Sequence, residues 1–171
     1  MGDNPLLYLI IPHVVTNIIG TYECKVDAKG RLMLPTALKK QLMAQLESGF
    51  VLKRSMFEKC LELYPMEEWN TQMGMVNKLN RFVRKNVEFI RMFTAGVKVV
   101  ELDVNGRLLI PKDLVGFSSI SKDIVLASAG THIELWDKAS YESKLSNPET
   151  DIATLAEDVM GSLNTGADEL P

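Results

Sequence analysis

The pattern of apolar and polar positions along the chain occurs twice. Residues 26–35 read VDAKGRLMLP and residues 102–111 read LDVNGRLLIP. Asp27 and Asp103, Gly30 and Gly106, Arg31 and Arg107, Leu32 and Leu108, and Pro35 and Pro111 each stand 76 positions apart. The register extends back to Gly20 and Gly96 and on to Leu38 and Leu114. A second correspondence follows at a spacing of 72, LELY at 61–64 with IELW at 133–136, and Trp69 and Tyr141 keep that spacing. Self-similarity of this kind marks two copies of one supersecondary unit. We place them at residues 21–67 and 97–140, units of about 45 residues that are each too small to bury a full core.

Within each copy a tight turn separates two apolar stretches. Tyr22, Cys24 and Val26 alternate with polar neighbours, a pattern that Val97 and Val99 keep only in part. Leu32-Met33-Leu34 and Leu108-Leu109-Ile110 are continuous strand-forming runs. Lys29-Gly30 and Asn105-Gly106 supply the positive φ of a hairpin turn, which leaves Asp27 with Arg31, and Asp103 with Arg107, around the loop tips. Beyond Pro35, Leu38, Leu42, Met43 and Leu46 fall at helical spacing; the counterpart after Pro111 is expected to be shorter, broken by Gly116. Phe50 to Lys53 and Ile124 to Ala127 read as third strands, and LELY and IELW as fourth strands, with helices starting at Glu67 and Lys138.

The connector, residues 68–96, reads as a helical hairpin. Trp69, Met73 and Val76 form one apolar stripe, and Phe82, Val83, Val87, Ile90 and Phe93 another, with interruptions at Gly74 and Asn80. Its second arm is basic, with Arg81, Arg84, Lys85 and Arg91 against Glu88. Residues 141–171 hold a weaker amphipathic helix past Pro148 (Ile152, Leu155, Val159, Leu163) and then a Gly-, Asn- and Thr-rich stretch expected to be disordered. Residues 1–19 are an N-terminal extension for which the pattern gives no element. The fold class is α+β.

Composition narrows the class without naming a function. The 171 residues are 46% hydrophobic and 24% charged, which excludes collagenous, wholly disordered and disulfide-scaffold chains. Cys24 and Cys60 form no CxxC and read as reduced residues of a cytoplasmic protein. The apolar run Leu6 to Ile11 is far short of a bilayer span, and Asp3 without a preceding Lys or Arg does not suit a signal peptide. The net charge is −3, yet residues 142–171 carry seven acids against Lys144, so residues 1–141 are at +3.

The tips are where chemistry concentrates. An acid and an arginine four apart around a glycine could be a local ion pair that sets the turn and contributes little else. Against that, Lys25, Lys29, Arg31, Lys39 and Lys40 face only Asp27 in their segment, an excess suited to phosphate. Arginine also reads guanine bidentately in the major groove, which a two-stranded ribbon can enter. The second tip is the poorer in cations, with Asn105 in the place of Lys29 and Glu101 in that of Lys25, so Arg31 is expected to matter more than Arg107. His13 and His132 have no metal-ligand spacing with the cysteines, and no GxSxG or glycine-rich phosphate loop occurs. No metal, cofactor or catalytic residue is expected. Trp69, Tyr141 and the nine methionines read as packing.

VDAKGRLMLP and LDVNGRLLIP, both carrying DxxxR, closed by LELYPMEEW and IELWDKASY, resemble the MraZ family of transcriptional regulators over residues 20 to about 145. The resemblance implies a tandem SpoVT-AbrB arrangement, two swapped-hairpin units intertwined as an intramolecular pseudo-dimer. It further implies a ring-shaped homo-oligomer, a place on the nucleoid, and repression of the bacterial division and cell-wall gene cluster through G-rich direct repeats in promoter DNA. Residue by residue it puts Asp27, Lys29 and Arg31, and Asp103 and Arg107, against DNA; Lys25 and Asn105 beside them complete the candidate set. The alternative is an AbrB-like protein-interaction or antitoxin-type module. Cations at the tips favour DNA, since a protein-binding copy has no need of Lys29 and Arg31.

Overall fold

The computed structural model describes residues 17–165. Strands β1 (Thr21–Lys25), β2 (Arg31–Met33), β3 (Phe50–Arg54) and β4 (Leu61–Pro65) come from the first copy, and β5 (Lys98–Val100), β6 (Arg107–Leu109), β7 (Asp123–Ser128) and β8 (Ile133–Asp137) from the second. Helices α1 (Thr36–Gln41), α2 (Met66–Val76), α3 (Arg84–Thr94), α4 (Lys112–Ser118), α5 (Lys138–Leu145) and α6 (Ile152–Thr165) complete the chain. It divides into two units at Lys138; the second, residues 139–171, contains α6, whose first turn is capped by the Asp151 carboxylate.

The two copies are woven together. An antiparallel six-stranded sheet runs β1-β7-β8-β4-β3-β5, and a separate ribbon pairs β2 with β6. Each copy's first strand therefore lies against the other copy's third: Thr21 opposes Ala127, and Phe50 opposes Val100. The order reads the same from either end when the strands are replaced by their repeat equivalents. Glu62 faces Glu134 at the centre of the sheet, and Leu32 faces Leu108 at the centre of the ribbon. These two pairs mark a pseudo-twofold axis. The expected α+β pair of swapped hairpins is this arrangement.

A single core joins both copies. Leu32, Leu34, Leu38, Leu61 and Leu63 from the first pack with Leu108, Ile110, Leu114, Ile133 and Leu135 from the second, all within 3% of full burial. Alternation along the strands puts Leu61 and Leu63 on this side and Glu62 and Tyr64 on the other. There the helical hairpin covers the sheet: Trp69 packs on Tyr64 and stacks on Phe93, and Val76, Ile90 and Phe93 close a smaller cluster.

Several local expectations need correction. The helix after Pro35 stops at Gln41 and tightens into a 3-10 turn at Met43–Gln45, with Met43 turned outward, because the chain must reverse into β3 through Gly49 at φ +75°. The counterpart α4 is not the shorter one. It runs through Gly116, which faces open space and so forfeits only helix propensity. Gly74 likewise sits inside α2 without breaking it. Phe82 and Val83 precede α3 instead of lying on its stripe; Phe82 is fully exposed in a turn where the Asn80 side chain accepts its N–H. Ile18, assigned to an extension without structure, bridges to Gly130. The expected disorder beyond the last helix, and residues 1–16, lie outside the described residues.

Candidate nucleic-acid interface

Each tip is built by one aspartate. Asp27 Oδ1 accepts the backbone N–H of Lys29 at 2.9 Å and of Arg31 at 3.0 Å, and its Oδ2 accepts Arg31 Nε at 2.8 Å. Asp103 repeats the pattern with Asn105 at 2.8 Å, Arg107 at 3.0 Å and Arg107 Nε at 2.9 Å. The backbone hydrogen bonds from Arg31 and from Arg107, more than their guanidinium charges, hold both carboxyls below the usual aspartate range. Both therefore stay ionised at neutral pH.

The consequence for the arginines is geometric. Only Nε of each is engaged by its aspartate, which fixes the plane of the guanidinium and leaves the Nη pair for an outside acceptor. The ion-pair reading and the recognition reading are thus compatible, because the same pair that sets the turn also orients the guanidinium. Each arginine side chain is about one third exposed.

Glycine is favoured at both turns by conformation and is required at the first also by contact. Gly30 and Gly106 have φ of +82° and +77°. A Cβ on Gly30 would stand 2.7 Å from the Ile110 carbonyl oxygen of the other copy. Ile110 N–H in turn donates to the Gly30 carbonyl at 2.8 Å, so the first tip is stitched to the second copy's strand.

The ribbon brings the tips onto one surface. Arg31 opposes Leu109 and Met33 opposes Arg107, while Leu32 and Leu108 between them point into the core. Arg31, Met33, Arg107 and Leu109 therefore share the outer face, with Met33 and Leu109 each about half exposed. Those two apolar residues were not among the sequence candidates: within Leu32-Met33-Leu34 nothing separates outward from inward until the partner strand is known.

Of the remaining candidates, Lys29 and Asn105 are exposed on the turns, and Lys25 lies exposed on β1, 3.9 Å from Asp123 of β7. Two cations come from the opposite copy. Lys39 Nζ lies 3.0 Å from where a Cβ on Gly106 would stand, and Lys122 lines a shallow groove with Asp27 and Ala28. Lys40, counted with them in the sequence, is exposed on α1.

Away from the tips the described residues offer little chemistry. Burial pushes the Cys24 thiol up to about 11 and the Cys60 thiol up to about 12, so neither is a nucleophile at neutral pH. His132 stacks on Tyr64 with ring centroids 4.6 Å apart. No group of three or more His, Cys, Asp or Glu among the described residues could hold a metal ion, and no helix there is long and apolar enough to cross a membrane. A groove of about 740 Å³ beside the β3–β4 loop is lined by Arg54, Met56, Phe57, Phe89, Met92 and Phe117 among others.

Comparison with known proteins agrees with the twin-tip architecture. The family described as "MraZ protein, putative antitoxin-like" matches residues 18–88 and again 92–161. The chain is 65% identical over 146 residues to the transcriptional regulator MraZ of Christiangramia forsetii, covering 85% of this chain and 94% of that protein. It is 61% identical over 150 residues to the protein of the same name from Flavobacterium psychrophilum, covering 88% and 96%. With the protein of that name from Bifidobacterium longum it shares 32% over 143 residues, covering 84% and 92%. Two successive family matches on a chain whose two halves interlock about one axis leave one conclusion: this protein belongs to the MraZ family.

Proposed function

We propose that the protein is a sequence-specific DNA-binding transcriptional regulator, a repressor of the bacterial division and cell-wall gene cluster, and not an enzyme. The observation that carries this is the pair of aspartate-clamped arginines, Arg31 and Arg107, on one face of a two-stranded ribbon. A ribbon of that width fits the major groove, where the Nη donors of an oriented arginine meet guanine O6 and N7. Met33 and Leu109 beside them suit thymine methyl groups. Relatives named as transcriptional regulators, alike over most of their length, support the same reading. In it, residues 21–67 and 97–140 are the two reading units, Lys25, Lys29 and Asn105 flank the readers, and the protein works in the cytoplasm at the nucleoid.

The target consists of G-rich direct repeats in the protein's own upstream DNA, read by several copies of the chain in a ring. The exposed Phe57 and Met92 beside the β3–β4 groove support self-association, since apolar patches of this kind mark protein contacts. The same groove would serve the second reading, an antitoxin-type module that binds another protein.

Gel shifts with that upstream DNA over a range of salt separate the two. Arg31→Ala and Arg107→Ala should each weaken binding by about 1–3 kcal/mol and leave the melting temperature nearly unchanged. Arg31 should show the larger loss. A double variant that still binds DNA would remove the recognition role and favour the protein-binding module.

A further inference from the structure

The second tip looks poor in cations only along the sequence. Asn105 stands where the first tip has Lys29, yet Lys39 of α1 reaches across the pseudo-twofold axis. Its Nζ lies 3.0 Å, and its Cε 3.8 Å, from the position of a Cβ on Gly106. Met33, which opposes Arg107 in the ribbon, approaches the same position through its Sδ at 3.7 Å. Lys39 is only partly exposed, and among the described residues no carboxylate lies within ion-pairing distance of it. The first tip receives no counterpart of Lys39; the cation that reaches it from the other copy is Lys122, which lines a shallow groove with Asp27 and Ala28. The residue 76 positions on from Lys39 is Val115, which packs against the core and brings no charge to the first tip.

We propose that Lys39 is a DNA-phosphate ligand of the second tip, a partner of Arg107 and not of Arg31, its nearer neighbour in sequence. Arg107 then has Lys39 beside it, as Arg31 has Lys29. The inference rests on the DNA-binding reading and adds a residue and an assignment to it. Three features make the role one of ligand binding. Among the described residues the ammonium has no carboxylate partner, its Nζ and Cε lie against the Gly106 turn, and Met33 of the ribbon's outer face lies against the same turn. An ammonium is a point charge on a flexible stem, suited to a phosphate oxygen and without base preference.

The test uses full-length Lys39→Gln, with Lys40→Gln as control, on an upstream duplex between about 0.05 and 0.3 M salt. Loss of one phosphate contact lowers the slope of log K against log salt by about 0.9, which near 0.15 M salt is about a fivefold loss of affinity per contact. Lys40→Gln should stay within about twofold of wild type. Lys39→Gln should be non-additive with Arg107→Ala and additive with Arg31→Ala. Adding Asn105→Lys, which puts a lysine at the position equivalent to Lys29, should restore slope and affinity. Wild-type affinity and slope for Lys39→Gln, an equal loss for Lys40→Gln, coupling to Arg31, or a loss that tracks a lowered melting temperature would each overturn the assignment. A wild-type protein that binds no duplex would overturn the DNA reading with it, whereas wild-type binding untouched by Lys39→Gln removes Lys39 alone.

Discussion

Asp27 and Asp103 show how one side chain can do several jobs within a five-residue turn. Each carboxylate accepts two backbone N–H groups and one guanidinium Nε, so it shapes the turn and aims the arginine together. That local logic was legible in the sequence, because Asp, Gly and Arg at fixed offsets act through short-range geometry. The aiming role was not, since it depends on which guanidinium nitrogen is used. The other residue with a distinctive setting is His132, stacked on Tyr64 near the axis. Its desolvation lowers the imidazole pKa below 6.5, outweighing Glu62, Glu134 and Glu68, which favour the cation, and acting with Lys53, which disfavours it. Protonation is thus harder in the folded state than in the unfolded chain. The stability this contributes is complete above pH 6.5 and is lost as pH falls from there toward the folded value. The wild-type melting temperature should drop between pH 7.5 and 5.5 by more than that of His132→Gln. Parallel curves would show that His132 does not govern stability in this range.

At the scale of elements, the swap decides stability. β1 finds its partner in β7 and β5 finds its partner in β3, so each copy supplies an edge that only the other can use. A copy by itself would keep its internal hairpin, β3–β4 or β7–β8, but lose the ribbon, the outer strand pairings and half of the shared core. Neither residues 21–67 nor residues 97–140 should fold as a monomer, because so little buried apolar surface does not offset chain entropy. Circular dichroism of each isolated copy should show no cooperative melt at dilute concentration. A monomeric melt would mean that the swap is dispensable. Alternation and turn residues foretold the strands, since these report which positions are half-buried. They could not report the neighbour of a strand, and from that came the blind spots at Met33, Leu109 and Lys39. The helix boundaries fail for a different reason. Leu42 and Met43 continue the helical period of Leu38, but the return to β3 overrides it. Gly116 breaks the pattern on paper, while in α4 nothing packs against it to make the missing side chain matter.

At the scale of the whole molecule, the proposed function poses the question of how a chain with a net −3 would hold promoter DNA. The net negative charge sits in the last thirty residues, and in this reading the cations that would touch DNA are few: Arg31 with Lys29 at one tip, Arg107 with Lys39 at the other. A single chain with so few phosphate contacts would bind weakly and with a shallow salt dependence. Assembly answers this. In the proposed ring, adjacent chains engage successive repeats, and after the first contact each later one is intramolecular at an effective concentration in the millimolar range. Avidity of that origin depends on geometry, because tips held on a rigid ribbon must meet major grooves on the same side of the duplex. Duplexes with one repeat should bind poorly, and several repeats about 10 bp apart should bind far more tightly. Half a helical turn, about 5 bp, inserted between repeats should abolish the gain by placing alternate sites on the opposite face. Gel shifts across such a spacing series test this directly, with the oligomeric state measured in the same buffer. Equal affinity for every spacing would mean that the tips act one at a time, and would leave the net negative chain without a mechanism for tight binding at cellular salt.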